Sequence, residues 1–304
     1  MLALLLGRIC VKKKLLPLCI ALLVILILAG VFLFRSPLLI ITDSSFYQIY
    51  GSQRQRLAVL RTSLELFRRV IMVTVSEQAG PDVIALVVES VSRAPRAVLF
   101  PQRYLAGALH FRENNPGIPV LVMWGRNPPP AGVTPDTGLV FVRTDTATDL
   151  YRAGLSAAAL TRETLGVLFF TEGDLRERYR QAFQSGLSRQ GFTYDPVYLE
   201  AFLDYTTYAE IGCVVVAGPA LRFLERNLEI PVILFSWIDP SMSPRSVRII
   251  FDDSPLAQAA RAARFISPTA GEIFVPSRPA LLFDRFEGGR AELRKLRGLL
   301  RENL

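Results

Sequence analysis

Residues 38–51 read LLIITDSSFYQIYG, an apolar run that passes abruptly into polar and aromatic residues. In open α/β sheets, ligands bind beyond the carboxyl ends of the strands. The stretch therefore predicts a buried first strand, whose end at Thr42 and Asp43 opens into a first ligand loop. The alternative interpretation is that Asp43 and the two serines after it only cap a helix, because Asp and Ser are common helix caps.

Short apolar runs recur along the rest of the chain. Near-continuous apolar strands are typical of a parallel sheet that is covered on both faces. The predicted strands are 37–42, 70–75, 96–100, 119–124, 138–143, 166–170, 197–203, 213–217, 231–236 and 247–251. The predicted helices between and after them are 52–69, 81–92, 102–114, 146–160, 173–190, 219–227, 254–265 and 288–303. This alternation predicts an α/β fold with right-handed crossovers.

Two of these helices have informative side-chain patterns. In 52–69, Leu57, Leu60, Leu64 and Phe67 recur at spacings of three and four, which predicts one apolar stripe along the helix. The helix 146–160 is instead rich in alanine and glycine, and such small residues suit close packing against a neighbouring element.

The N-terminus carries a candidate membrane span. Residues 15–34 read LLPLCIALLVILILAGVFLF, 20 residues without a charge, and 20 helical residues are long enough to cross a bilayer core of about 30 Å. A basic cluster at 12–14 precedes the span, so the positive-inside rule predicts that the C-terminal bulk lies outside the cytoplasm. We expect an uncleaved single-pass signal anchor in a bacterial inner membrane. A cleaved signal peptide is the alternative.

Charge and cysteine content constrain the partners. The net charge is +8, but five of the basic residues fall in the first 35 positions; removing them leaves 30 basic and 27 acidic residues, a net charge of +3. This balance and the absence of a basic stripe argue against nucleic-acid binding. Cys10 and Cys19 belong to the predicted anchor segment, so Cys213 is expected to be an unpaired, buried residue in an apolar strand.

The sequence offers little for catalysis. The one histidine, His110, lies within a predicted helix, and nothing nearby in the sequence would orient it as a base. Nucleotide-binding, nucleophile-elbow and zinc-protease motifs are missing from the sequence. We therefore expect a protein that is not an enzyme and that needs neither a metal nor another cofactor. A membrane-anchored hydrolase remains a minor alternative.

Polar and aromatic residues follow many of the predicted strands. In a parallel sheet these strand ends share one edge, and two such edges that face each other form a cleft. Rings can stack on a ligand while carboxylates accept hydrogen bonds from it, so such a lining suits a small hydroxylated or heterocyclic ligand. The predicted ligand-binding residues are Asp43, Ser44, Ser45, Phe46, Glu77, Arg103, Tyr104, Trp124, Asp145, Glu172, Asp204, Gly218, Trp237 and Asp239.

Three segments of the chain resemble type I periplasmic binding proteins. RTDTATDLYRAGLSAAAL at 143–160, followed by GVLFF, resembles their crossover into the second lobe. EIPVILFSWIDPS at 229–241 is similar to their Pro-Val strand and loop, and VRIIFDDSPLAQAARAA at 247–263 resembles their return segment. TDSSF at 42–46 is similar to the first loop of the nucleoside-receptor branch, the basic membrane lipoproteins. The sugar-binding Arg and Asn positions of the superfamily have no match here.

The resemblance implies two doubly wound parallel-sheet lobes with a ligand between them. We expect a basic tip and membrane anchor at 1–36, lobe one at 37–144 plus 254–304, and lobe two at 145–253. The implied function is a membrane-tethered extracytoplasmic solute-binding protein that captures a small polar ligand, with an ABC-type permease as its partner. The alternative is a sensing or interaction module of the same fold without a role in transport.

Overall fold

The computed structural model describes residues 19–50, 52–126, 138–161, 164–169, 174–193, 195–199, 211–217, 229–235, 243–264, 271–286 and 289–301. The strands in these ranges are β1 (Leu38–Thr42), β2 (Val70–Thr74), β3 (Ala97–Pro101), β4 (Val120–Gly125), β5 (Leu139–Thr144), β6 (Leu165–Phe169), β7 (Val197–Leu199), β8 (Cys213–Ala217), β9 (Val232–Leu234), β10 (Val247–Asp252), β11 (Glu272–Val275) and β12 (Arg278–Leu281).

The helices in the same ranges follow the predicted positions closely. They are α1 (19–34), α2 (Ser44–Tyr50), α3 (Ser52–Leu66), α4 (Pro81–Val91), α5 (Leu105–Asn114), α6 (Thr146–Leu160), α7 (Asp174–Arg189), α8 (Pro255–Ala262) and α9 (Gly289–Arg301). Helix α2 was not expected, because we predicted a loop after β1. The predicted helix 219–227 lies outside the described residues.

The strands form two six-stranded sheets. Sheet one has the order β11–β5–β4–β3–β1–β2, and every neighbouring pair in it is parallel. Sheet two has the order β12–β10–β9–β8–β6–β7 and is parallel except for the antiparallel β10–β12 pair. The prediction of two parallel-sheet α/β lobes is therefore confirmed.

Helices cover both faces of sheet one, which explains why its strands are apolar throughout. Helices α3 and α8 pack on one face, and α4 and α5 pack on the other. All five residues of β1 are buried. In sheet two, α6, α7 and α9 contribute to a core that includes Cys213, and the thiol is fully buried as predicted. Burial raises the pKa of Cys213 to about 12, so the thiol stays protonated and unreactive.

The chain passes between the lobes three times. The first crossing joins β5 to α6, the second joins β10 to α8, and the third joins β11 to β12. We expected the whole segment 254–304 to belong to lobe one. The structure divides this segment: α8 and β11 join lobe one, whereas β12 pairs with β10, and α9 packs against α6 in lobe two. The reason is that Leu296 and Leu300 of α9 bury their side chains in the core of lobe two.

A buried polar cluster connects the first and third crossings. Both carboxylate oxygens of Asp149 in α6 accept a hydrogen bond from the backbone N–H of Ser277, at 2.9 and 3.0 Å. The fully buried Arg152 lies one helical turn further on, with its Nη1 3.9 Å from Asp149 Oδ1. Burial raises the pKa of Asp149 to about 7, although Ser277 and the nearby arginines favour the charged form. The cluster therefore ties α6 to the third crossing, between β11 and β12.

The apolar stripe of α3 does not face the core. Leu57, Leu60 and Leu64 are 69%, 57% and 65% exposed. The opposite side of the helix is buried, and there Ser63 Oγ accepts a hydrogen bond from the backbone N–H of Val70 at 3.1 Å. A polar residue therefore occupies the buried side because it satisfies the first N–H group of β2.

Helix α1 precedes lobe one directly and presents apolar side chains to the surroundings along its described length. In the described part of the chain, no helix combines the length and the hydropathy needed to cross a bilayer. The predicted anchor begins at residue 15, and residues 1–18 lie outside the described ranges.

Candidate functional site

Asp43 is the first residue after β1, and its carboxylate is fully engaged within the protein. Its Oδ1 accepts hydrogen bonds from Ser45 Oγ at 2.6 Å and from the backbone N–H of Phe46 at 3.0 Å, which caps the N-terminus of α2. Its Oδ2 accepts from Tyr104 OH at 3.0 Å and lies 3.0 Å from Arg103 Nη1. With four donors and 2% exposure, Asp43 positions its neighbours.

The pKa of Asp43 reflects this environment. Burial alone would raise the pKa, but the hydrogen bonds from Ser45, Phe46 and Tyr104 and the charge of Arg103 together hold it below the usual value. The carboxylate is therefore charged at neutral pH and balances the guanidinium beside it.

Arg103 and Glu77 are the charged groups around Asp43 that reach solvent. Their side chains are 42% and 45% exposed, and Arg103 Nη2 lies 3.8 Å from Glu77 Oε2. Glu77 Oε1 accepts hydrogen bonds from Ser44 Oγ at 2.6 Å and from the backbone N–H of Ser45 at 3.1 Å. Arg103 Nη1 also donates to Ser45 Oγ at 2.6 Å. The cluster thus offers a ligand a guanidinium donor beside a carboxylate acceptor, held on segments that follow three neighbouring strands.

The buried ring of Tyr104 packs beneath the guanidinium of Arg103. Its side chain is buried, and the Arg103 guanidinium carbon lies 5.4 Å from the centre of its ring. Burial, the hydrogen bond to Asp43 and the charge of Asp43 raise the pKa of Tyr104 to about 12. The phenol therefore remains a hydrogen-bond donor at neutral pH.

Phe46 and Trp124, two of the aromatic residues predicted to bind the ligand, pack mainly in the core of lobe one. Phe46 packs with apolar residues of β1, β3 and α8. Trp124 at the end of β4 is buried and makes an edge-on contact with Phe141, with 5.5 Å between the ring centres. Direct contact of either ring with a ligand stays a prediction.

Asp145 lies at the first crossing between the lobes. Its Oδ1 accepts from the backbone N–H of Thr148 at 3.1 Å, and its Oδ2 accepts from Thr148 Oγ1 at 2.7 Å. It is the N-cap of α6, so the capping interpretation holds here as it does for Asp43. The predicted lobe-two residues lie outside the described residues: Glu172, Asp204, Gly218, Trp237 and Asp239.

Arg126 reaches from lobe one to lobe two and was not among the predicted site residues. It follows β4, and its guanidinium carbon lies 5.4 Å from the ring centre of Phe235, which follows β9. Its Nη2 lies 3.2 Å from Asp253 Oδ2 at the second crossing. Its position directly after a buried strand was the feature of the sequence that could have identified Arg126. The contact with Phe235 could not be predicted in this way, because it depends on how the two sheets face each other.

The described residues contain no group of three or more His, Cys, Asp or Glu side chains that could hold a metal ion. His110 forms a surface pair with Asp82, with 3.0 Å between Nε2 and Oδ1. Its Nε2 also lies 3.1 Å from Asn114 Nδ2.

Comparison with known proteins finds similarity in structure alone. No protein-family profile and no curated sequence matches the chain. An ABC-transporter solute-binding protein from Conexibacter woesei DSM 14684 superimposes with a TM-score of 0.54 at 11% identity, over 88% of this chain and 96% of the other. A transcriptional activator of the comK gene from Bacillus halodurans gives 0.53 at 8% identity, over 89% and 99%. A periplasmic ribose ABC transporter structure from C. woesei gives 0.47 at 16% identity, over 85% and 97%.

These similarities concern the fold. Two mainly parallel sheets joined by three crossings give this chain a type I periplasmic binding protein-like fold. The resemblance seen in the sequence is therefore confirmed for the fold. Of the two structures with TM-scores above 0.5, one is described as a solute-binding protein and the other as a transcriptional activator.

Proposed function

We propose that this protein is a membrane-tethered extracytoplasmic receptor that binds a small, hydroxyl-rich polar ligand between its lobes and delivers it to an ABC-type importer. The observation that carries the proposal is the cluster of Glu77 and Arg103 at the carboxyl edge of sheet one. Asp43 and Tyr104 hold this cluster rigidly, so a ligand need not order it on binding.

The chemistry of the cluster supports a ligand with neighbouring hydroxyl groups. Each hydroxyl both donates and accepts, so adjacent hydroxyls can donate to Glu77 and accept from Arg103 at the same time. One guanidinium and two carboxylates give the cluster a net charge of −1, which disfavours an anionic ligand. The solute-binding protein from Conexibacter has the same fold, which supports the receptor role.

The binding test uses the full chain in detergent or nanodiscs and a panel of polyols, nucleosides and amino acids. We expect one compound class to raise the melting temperature and to bind stoichiometrically in native mass spectrometry. Glu77→Gln should weaken binding about 10- to 100-fold, because a hydrogen bond to a charged group contributes about 1.5–3 kcal/mol. Glu113→Gln on the exposed end of α5 is the matched control. Equal affinities in the two variants would remove Glu77 from the site.

The tether and the importer role need separate tests. The uncharged span at 15–34 behind the basic cluster supports an extracytoplasmic domain. A periplasmic reporter fused after Leu304 should be active only outside the cytoplasm, and cytoplasmic activity would refute the tether. A permease and an ATPase encoded beside this gene would support transport.

A sensing module is the second candidate function. A transcriptional activator has the same fold, which shows that the fold also serves regulation. This alternative would be favoured if the gene for this chain lies beside a gene for a signalling protein and if the chain binds its ligand without a permease.

A further inference from the structure

Four arginines lie at the lower edge of sheet one, the edge at which β1, β2 and β3 begin. Arg35 lies just before β1, Arg68 and Arg69 come directly before β2, and Arg96 comes directly before β3. Because β2, β1 and β3 are adjacent parallel strands, their starting residues lie side by side at the edge opposite the candidate ligand site. In the described part of the chain, none of these four guanidinium groups forms an ion pair with a carboxylate.

The arginines repel one another where they stand. Burial lowers the pKa of Arg68, and the charges of Arg96 and Arg35 lower it further. Arg68 Nη1 is hydrogen-bonded to the carbonyl of Ser36, which holds the cation close to the start of β1. The Nε of Arg69 is buried without a hydrogen-bond partner. An anion bound at this edge would relieve both the repulsion and the unsatisfied donor.

Helix α1 brings apolar surface to the same edge. The Phe32 ring of α1 makes an edge-on contact with Phe67, the residue that follows α3, with 5.8 Å between the ring centres. The guanidinium carbon of Arg35 lies 5.5 Å from the centre of the Phe67 ring. Only residues 35–37 separate α1 from β1, so this edge of lobe one lies next to wherever α1 enters a membrane.

A cavity of about 620 Å³ opens between α1, α3 and the edge strand β2. Its lining is mostly apolar, and Arg56 and Arg69 are its charged members; the aliphatic and aromatic lining includes Phe32, Val59, Leu60, Ile71 and Met72. The exposed stripe of Leu57, Leu60 and Leu64 on α3 continues from the cavity, since Leu60 belongs to both. Apolar walls next to unpaired guanidinium groups match the two parts of a phospholipid.

We infer that the lower edge of lobe one binds phospholipid of the membrane that α1 enters, with arginines on the phosphates and an acyl chain in the cavity. Two observations select lipid over a second protein: the surface is continuous with the exposed apolar face of α1, and its unpaired charges are complementary to phosphate. The inference rests on the proposed tether. It gives the tethered lobe a fixed orientation, with the candidate ligand site facing away from the bilayer.

The experiment places a tryptophan in the surface and asks whether lipid touches it. The full-length Leu60→Trp variant is reconstituted into vesicles of phosphatidylcholine with about one third phosphatidylglycerol, some of whose acyl chains are brominated. We expect strong quenching of the added fluorescence. Leu86→Trp is the matched control, because Leu86 is 66% exposed on α4, across sheet one, and its fluorescence should stay unquenched.

The charge component is tested with a second pair of variants. Arg69→Gln with Arg96→Gln should lose most of the extra quenching that phosphatidylglycerol produces, because each basic residue near an anionic surface contributes about a fivefold preference. Arg178→Gln with Arg189→Gln on exposed positions of α7 should leave it unchanged. Equal quenching in both double variants would overturn the arginine–phosphate part.

The outcomes separate this inference from the tether. If the chain floats with vesicles and Leu60→Trp is unquenched, the lipid surface is refuted and the tether stands. An unquenched, blue-shifted Leu60→Trp spectrum together with chemically cross-linked dimers would assign the surface to a second copy and refute the inference. If the chain does not float with vesicles, both proposals fail.

Discussion

At the scale of single residues, the polar side chains that follow the strands divide into two kinds. Asp43 and Asp145 have their oxygens occupied by neighbours in the same fold, so they position other groups. Glu77 and Arg103 keep part of their hydrogen-bonding capacity open to solvent. The sequence predicted that all four follow strands of sheet one, as they do in the structure. Only their hydrogen-bond partners distinguish the residues that position other groups from those that remain open to solvent.

The role of Asp43 predicts a loss of stability. Asp43→Asn removes the ion pair with Arg103 and weakens the cap of α2, and we expect the free energy of unfolding to fall by about 2 kcal/mol, since hydrogen bonds to charged groups contribute about 1.5–3 kcal/mol. Urea denaturation measures the change. Asp82→Asn is the control, because Asp82 forms an exposed pair whose loss should change stability by about 0.5 kcal/mol or less. Equal effects would contradict the positioning role.

Asp149 predicts a pH dependence of opposite sign to that of an ordinary salt-bridged carboxylate. Its pKa of about 7 in the folded state exceeds the unfolded value of about 3.9, so its contribution to stability is fully present below the unfolded pKa and is lost as the pH rises through about 7. The cause is burial, which outweighs the hydrogen bonds from Ser277 and the charges of Arg126 and Arg152.

Urea unfolding between about pH 4 and pH 8 tests this expectation. The difference in unfolding free energy between the wild type and Asp149→Asn should shrink as the pH rises. A difference that stays constant across the range would mean that the Asp149 carboxyl titrates at its ordinary pKa.

At the scale of elements, α6 and α7 show how small residues determine a helix contact. A Cβ atom built on Gly154 would lie 2.3 Å from the carbonyl oxygen of Phe183, and one on Gly186 would lie 2.1 Å from that of Tyr151. Each helix therefore packs backbone against backbone at the other's glycine. The small residues of 146–160 predicted close packing, but the sequence did not identify α7 as the partner helix.

Gly154→Ala tests this contact against helix propensity. Alanine favours a helix over glycine by about 1 kcal/mol, yet we expect Gly154→Ala to lower the unfolding free energy by about 2 kcal/mol or more, because the backbone atoms in the way cannot move without separating the helices. Gly298→Ala in α9 meets open space and should be stabilising by up to about 1 kcal/mol. Calorimetry of both variants gives the comparison, and stabilisation by Gly154→Ala would contradict the packing.

At the scale of the whole molecule, the lobes are joined by three crossings, and hydrogen bonds tie these crossings to one another. Gln258 Nε2 of α8, the helix after the second crossing, donates to Thr144 Oγ1 beside the first crossing at 2.6 Å. The Asp149–Ser277 hydrogen bonds tie the first crossing to the third. Arg126 adds a contact beyond the crossings, because it meets Phe235 of lobe two. This contact is one that opening of the cleft would break.

Arg126→Ala should therefore shift the lobes toward an open arrangement. A desolvated cation–π contact contributes about 2 kcal/mol, so the closed fraction without ligand should fall several-fold. Energy transfer between fluorophores on α5 and α7 of the full chain measures the change. Arg178→Ala on the exposed side of α7 is the control. Unchanged transfer in Arg126→Ala would show that the crossings alone set the lobe angle.

The sequence by itself determined the α/β alternation, the positions of β1 to β10 and the type I periplasmic binding protein-like fold. Strand burial and helix periodicity are local properties that a linear pattern records. Only the tertiary structure decided which lobe receives β12 and α9, that the Leu57, Leu60 and Leu64 stripe faces outward, and that Arg126 meets Phe235. These features depend on pairings between segments far apart in the chain, and the energy of such a pairing depends on both partners and on what already covers them.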